Sequence, residues 1–453
     1  MDKTVVDVMV EKAREAQKVF EKFTQEQVDN IVKAMGKVIY DNAEILAKEA
    51  VEETRMGVYE DKVAKNRGKS KTIWNSLKGK KSIGIIDEDY ENGLISIAKP
   101  IGVVCAVTPT TNPIVTPMCN AMFALKGGNA IIVAPHPRSK KSSAHAVELM
   151  NEAIKKLGAP DSLIQIIEEP SIELTNELMQ KSDVVLATGG MAMVKSAYSS
   201  GKPSFGVGAG NVQVIIDRDI DFIEATQKVI AGRIFDNGII CSGEQSIIVP
   251  QDKYEEIVKA MEVNGAFYAG DEATVSKFRD VLFKNGMING DIVGQSVQFI
   301  ANLAGVEVPK ETKVILLKPT GIGKEDLLCK EKMCPVMIVL PYNTFEDAVA
   351  IAQTNLELEG KGHTTAIHSN SQEHIRYAGL NLTVSRLVVN APSSTTAGGS
   401  LFNSLSPTTT LGCGTWGNNS ISENLNYKHL INVSRVAFVK TGIAAPTDEE
   451  IWA

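Results

Sequence analysis

From residue 100 onward, short apolar runs alternate with amphipathic helical stretches, and this alternation constrains the fold more than any other feature of the chain. The runs "IGVVCAVTP", "AIIVAP", "LIQIIE", "VVLATGG", "QVIID" and "SIIVP" are β-rich, with helices such as "SSAHAVELMNEAIKKLG" between them. That pattern predicts a parallel α/β sheet. The unit recurs after residue 310 in "KVILLKP", "MIVLPY", "TTAIHS" and "SRLVVNAP", which predicts a second α/β domain. A chain of 453 residues suits two domains of roughly 200 residues each, with room for a cleft between them.

The segments outside the repeat have their own periods. Val6, Met9, Ala13, Ala16 and Phe20 fall at helical spacing, and Thr24 with Gln27 forms a capping box for a second helix carrying Val28, Ile31, Val32, Met35 and Val38. "SIGIIDEDYENGLISIAKPIGVV" predicts a β-hairpin around Asn92-Gly93, with too little core to stand alone, and "HLINVSRVAFVK" reads as a late strand.

Composition excludes several classes. The chain is 43% apolar and 22% charged with a net charge of -7, and charges of both signs are interspersed. This is a globular protein without the basic face that nucleic acid requires. The most basic stretch, Lys65 to Lys81, is read as a solvated helix and loop because acids stand on both sides. No apolar run of signal-peptide or membrane-spanning length is present, so a cytoplasmic location without a membrane partner is expected. Six cysteines are scattered without a C-x-x-C pair, as in cytosolic proteins, and the six histidines show no ligand spacing, so no metal is expected.

Glycine motifs separate by context. "GCGTWG", Gly412 to Gly417, matches G-x-G-x-x-G by letters, yet no strand leads into it, and it is read as a loop. "FGVGAGN" precedes a strand rather than following one. By contrast, Thr188, Gly189 and Gly190 in "VVLATGG" follow a strand and open a helix, where free backbone N–H groups can face a phosphate. Cys241, in "FDNGIICSGEQSII", has small polar neighbours that suit an accessible thiol, although a lone cysteine is more often a packing residue. Asn112, before Pro113, is by itself a turn residue. The two acquire a function only as a pair.

In order along the chain, "KPIGVVCAVTPTTNP", "TGG", "FDNGIICSGEQS", "CKEKMCPVM" and "GCGTWGNNSISEN" resemble the aldehyde dehydrogenase superfamily, in particular its coenzyme A-acylating branch, across nearly the whole chain. Within that branch the resemblance is greatest to members acting on succinate semialdehyde, with acetaldehyde dehydrogenases next. It implies that Cys241 is the nucleophile and that Asn112, with the Cys241 backbone N–H, forms an oxyanion hole. It implies a nicotinamide cofactor held by Thr108, Pro109 and Thr110, by His136, Arg138 and Lys140, by Thr188, Gly189 and Gly190, and by Glu331 at the ribose; the alternative for Glu331 is a surface charge among lysines. Pro137 stands where hydrolytic relatives often have a ribose-binding acid, and the cations that follow favour NADP, with NAD left open. Gly206 stands where those relatives carry the acid that activates water, which favours coenzyme A as acyl acceptor and a reversible reaction.

His363 is a candidate for deprotonating the coenzyme A thiol, or else a structural histidine at a strand start. Arg386 and the loop residues Ser393 and Ser394 are candidates for the substrate carboxylate.

The expected fold is α/β and aldehyde dehydrogenase-like: two α/β domains plus a β-hairpin and strand that form an oligomerisation arm. Residues 1–81 and 99–215 are assigned to the cofactor domain, 82–98 with 429–440 to the arm, 216–411 to the catalytic domain, and 412–428 with 441–453 to a segment returning toward the cofactor domain. A homodimer or homotetramer is expected. An alcohol dehydrogenase half, fused after this region in bifunctional members, is not expected, since the sequence stops at Ala453. Two other readings stand beside this one: an acylating dehydrogenase for acetaldehyde or another short aldehyde using NAD, and a non-catalytic α/β binding protein in which Cys241 is core.

Overall fold

A computed structural model describes residues 3–453. Five parallel strands form one sheet in the spatial order Ile164–Ile166, Ala130–Pro135, Val103–Thr108, Val184–Thr188 and Ser204–Val207. Val103–Thr108 and Ala130–Pro135 are buried along their whole length. Helices cover both faces of such strands, which is why they read as unbroken apolar runs. From Val103–Thr108 the chain builds outward to one side and later, through Val184–Thr188, to the other. A crevice is expected at the carboxyl ends of strands where the order reverses in this way.

Seven parallel strands form a second sheet, ordered Ala266–Ala269, Val314–Leu317, Val336–Tyr342, Glu244–Pro250, Val212–Ile216, Gly362–His368 and Val384–Val389. Val212–Ile216 is an interior strand of this sheet, although the sequence pattern places residues up to 215 with the first. "FGVGAGN" also proves to be more than a lead-in: Ser204–Val207 is the edge strand of the first sheet, and Gly208–Asn211 crosses to the second.

The N-terminal helices Val5–Phe20, Gln25–Asp41, Ala43–Thr54 and Tyr59–Leu77 cover the first sheet. Capping boxes at Thr4/Asp7 and Thr24/Gln27 start the first two. Tyr59–Leu77 departs from the solvated reading of its basic stretch: Lys62, Lys65, Asn66, Ser70, Ile73 and Leu77 are all buried on one face. The acid that makes this burial tolerable is Asp236, far along the chain.

The hairpin Gly84–Asp89 and Leu94–Pro100 pairs antiparallel with Ile431–Ala437, so the late strand supplies the support that the hairpin lacks. Ser420 Oγ donates to Ser204 O, on the edge strand of the first sheet, at 2.8 Å. Residues 441–453 are exposed throughout, because the ladder ends at Ala437, and they finish in a short helix, Asp448–Trp452. Among the described residues no helix is long and apolar enough to cross a membrane.

Candidate active site

After the helix Phe222–Ile234 the chain turns sharply: Asp236, Asn237 and Gly238 have φ of 53°, 52° and 70°. Two successive non-glycine residues in the left-handed region cost about 1–3 kcal/mol each and persist only where the surroundings hold them. Here Asp236 Oδ1 accepts from Val58 N at 2.8 Å, Oδ2 accepts from Lys62 at 3.0 Å and from Lys65, and Asp236 N donates to Asp61 at 2.8 Å. Asn237 Nδ2 donates to Gly294 O at 2.9 Å. The turn delivers Cys241 just before the strand Glu244–Pro250. From the other side comes the crossing between the sheets, where a Cβ on Gly210 would lie 1.8 Å from Cys241 O.

Five of the six cysteines are buried; Cys241 is half-buried and opens on a cavity of about 280 Å³. Asn112, Lys65, Lys69, Ser394 and Thr408 line the same cavity. Burial, then the nearby Glu331 carboxylate, pushes the thiol up to about 12, so Cys241 rests protonated at neutral pH. Glu331 is buried rather than a surface charge; it accepts from Gly210 N at 3.3 Å, and burial, then Glu359, pushes its carboxyl up to about 8. Lys69 donates to Gly398 O at 2.9 Å and Thr408 O at 3.0 Å, and burial pulls its ammonium down to about 8. Lys65 donates to Asn112 Oδ1 at 2.8 Å.

A second cavity, of about 170 Å³, lies where the first sheet reverses order. Thr108, Pro109, His136, Thr188, Gly189 and Gly190 line it. Among the described residues Thr108 Oγ1 is buried there with no partner, and a Cβ on Gly189 or Gly190 would meet nothing within 4 Å, so packing does not explain the two glycines. Gly190 caps the helix Met191–Tyr198 without a side-chain bond, leaving that helix's first N–H groups available.

A crevice at a topological switch point and a cysteine that shares a neighbouring cavity with a side-chain amide are the parts expected of one family, and comparison decides it. A family-wide sequence profile described as the aldehyde dehydrogenase family matches residues 1–268. The chain belongs to the aldehyde dehydrogenase family. It is 62% identical over 444 residues, 98% of each chain, to the succinate-semialdehyde dehydrogenase (acetylating) of Clostridium kluyveri. Among solved structures it resembles an acetylating aldehyde dehydrogenase from Geobacillus thermoglucosidasius at 40% identity and TM-score 0.94, covering 97% of this chain and 98% of that one. It also resembles a Rhodopseudomonas palustris propionaldehyde dehydrogenase with bound CoA and an acylated cysteine, at 30% identity and TM-score 0.86, covering 96% and 97%.

Several expected positions of this dehydrogenase fall elsewhere. Arg386 is buried and spends four of its five N–H groups inside the protein, on Thr364 Oγ1, Asn424 Oδ1, His363 O and Gly412 O. Ser394 lines the Cys241 cavity, whereas Ser393 is fully buried and gives its backbone N–H to Glu244. His363 is fully buried, with Nδ1 3.0 Å from Thr364 Oγ1, and burial pulls it down to about 3, too weak a base to favour the thiol role. Thr110 is buried but lines neither cavity. Lys140 is paired with Glu169, and the exposed Arg138 side chain has, among the described residues, only a 3.5 Å contact to Thr54 O.

The lysines of the Cys241 cavity escape a reading of the sequence alone. Their signal is nonetheless present: Lys62, Lys65, Lys69, Ile73 and Leu77 share one helical stripe, and the two apolar members mark it as the inward one.

Proposed function

We propose that this aldehyde dehydrogenase is a CoA-acylating succinate-semialdehyde dehydrogenase that interconverts succinate semialdehyde plus coenzyme A with succinyl-CoA, using NADP, through a thioester on Cys241. The observation that carries the substrate is Lys69. Its ammonium lies in the cavity that Cys241 opens on, gives two N–H bonds to backbone carbonyls, and keeps a third donor for a carboxylate. An acetaldehyde-type substrate offers nothing to that charge.

The Cys241 thiol gives up its proton to solvent, and the resulting thiolate adds to the aldehyde carbon, forming a C–S bond while the carbonyl electron pair moves to oxygen. The Cys241 backbone N–H and Asn112 Nδ2 hold that oxyanion. The crevice of the first sheet fits a dinucleotide, with the Thr108 hydroxyl and the open Gly189-Gly190 turn as its polar contacts, and Glu331, held at Gly210 N outside the crevice lining, is the group we assign to the ribose. A nicotinamide dinucleotide bound there supplies the hydride acceptor that turns the adduct on Cys241 into a thioester. The coenzyme A thiolate then attacks the thioester carbon and the Cys241 thiolate leaves.

Water competes poorly at that step. Gly206 lies on the edge strand Ser204–Val207, where a Cβ would come within 2.7 Å of Val194 Cγ1 and 3.0 Å of Tyr198 Cε2. No acid fits there without repacking. Arg138 is the group we assign to the 2′-phosphate, since Lys140 is engaged by Glu169. The antiparallel sheet of Gly84–Asp89, Leu94–Pro100 and Ile431–Ala437, with Val436 and Phe438 exposed beside it, is the surface we assign to assembly of a homodimer or homotetramer.

The test is the substrate profile of the purified enzyme and of Lys69→Met. Wild type should prefer succinyl-CoA to acetyl-CoA, and Lys69→Met should cut that preference about 10- to 100-fold, the worth of a hydrogen bond to a charged group. Equal turnover of both thioesters by wild type defeats the substrate assignment.

A further inference from the structure

Asn112 has a carbonyl oxygen and an NH2 group at the ends of one planar fork, and only the NH2 end can donate to an oxyanion. Something must fix which end faces the cavity. An ammonium only donates, so the amide atom 2.8 Å from Lys65 Nζ is the oxygen, and Nδ2 is turned the other way. Among the described residues Nδ2 meets only Thr111 Oγ1, at 3.4 Å, and keeps donor capacity for a ligand. Lys65 is itself fixed: it is buried and pairs with Asp236 Oδ2, which Lys62 also holds at 3.0 Å. Asp236 opens the left-handed turn that leads to Cys241. One buried carboxylate therefore ties together the loop of the nucleophile and the lysine that orients the amide.

We propose that Lys65 is a positioning residue for the oxyanion hole: clamped by Asp236, it holds Asn112 by the oxygen so that Nδ2 faces the carbonyl carbon's oxygen at Cys241. This rests on the reading of Asn112 as oxyanion donor.

The test is a double-mutant cycle on the full-length enzyme, with Lys65→Met, Asn112→Ala and the double variant assayed with succinyl-CoA and with carboxylate-free butyryl-CoA. Lys65→Met should lower kcat roughly 10- to 100-fold on both thioesters with little change in KM, the cost of misplacing a catalytic group. Added to Asn112→Ala, it should lower kcat less than about threefold further, because the amide it aims is gone. Lys65→Arg, which keeps a cation able to reach both partners, should recover most of the loss. If Lys65→Met does not fold, Lys65→Gln carries the same comparison.

A loss confined to succinyl-CoA and seen in KM would make Lys65 a substrate contact and overturn the proposal. A full multiplicative loss in the double variant would make it an independent charge and would overturn the proposal as well. Unchanged kcat in Asn112→Ala is a distinct result that refutes the oxyanion reading itself.

Discussion

The two cavities of the molecule are built on opposite principles. The crevice of the first sheet is lined by small residues and backbone, Thr108, Pro109, Gly189 and Gly190 among them; His136, drawn down by burial and then Arg138, is the one lining group with a shifted pKa. The Cys241 cavity concentrates buried titratable groups: Cys241 pushed up to about 12, Lys69 pulled down to about 8, and Lys65 bound to Asp236 at its wall. One region is suited to receive a ligand by shape and N–H donors. The other holds charge out of water and is stable only while each charge keeps its partner.

The largest effect that can break this comparison is at the sulfur. Cys241→Ala should lose turnover by on the order of 10⁴-fold or more, while the dissociation constant for the dinucleotide, measured by calorimetry, stays within about twofold. Surviving turnover would mean that the chemistry lies elsewhere; lost dinucleotide binding would mean that the two cavities are not separable.

Next in size is the charge network. Asp236→Ala takes from the buried Lys62 and Lys65 the carboxylate that they pair with and should lower unfolding free energy by about 3–5 kcal/mol in urea titrations. Lys140→Ala, whose partner Glu169 is 83% exposed beside the crevice, should cost under about 1 kcal/mol. Acid should narrow the first gap. Burial alone would raise the Asp236 carboxyl, but Lys65 and Lys62 outweigh it and hold the group below its ordinary value. The stability it contributes is therefore present above the unfolded value of about 3.9 and is lost as pH falls through the lower folded one. A gap that stays constant from pH 6 to pH 3 would show that the ion pairs are not its source.

The same contrast explains what the sequence discloses. Both α/β sheets are legible because fully buried parallel strands read as apolar runs, and Thr188, Gly189 and Gly190 are legible because a strand, a turn and a helix start are consecutive in the chain. Resemblance supplies the pairing of Cys241 with Asn112, which no local pattern carries. Lys65 and Lys69 are not legible as site residues, since what decides whether a lysine stripe is solvated is Asp236, met only after the chain has crossed to the second sheet. Arg386 fails for the converse reason. Its four acceptors come from segments around residues 363, 412 and 424, and no local reading of "SRLVVNAP" reveals that they take four of its five donors. Val212–Ile216 is misassigned because an apolar strand does not state which sheet it joins.

A smaller effect concerns how the thiol rests. Iodoacetamide reacts with the thiolate, so a thiol near 12 should be alkylated about tenfold faster per pH unit from pH 7 to pH 10 with no plateau. A plateau near the ordinary value of about 8.5 would show that the cavity does not hold Cys241 protonated.

The smallest expected effect tests the crevice. Gly190 has ordinary extended backbone, φ -64° and ψ 155°, and open space where a Cβ would go. Gly190→Ala should therefore fold normally and gain up to about 1 kcal/mol through a less flexible unfolded chain. If the turn receives a phosphate as closely as its bare backbone allows, the added methyl should weaken dinucleotide binding several-fold and leave the alkylation rate of Cys241 in the free enzyme unchanged. Unaltered affinity would move the phosphate away from this turn. A changed alkylation rate would couple the two cavities more tightly than their different construction implies, and would locate the coupling in the short crossing at Gly208–Asn211, which joins the first sheet to the strand beside Cys241.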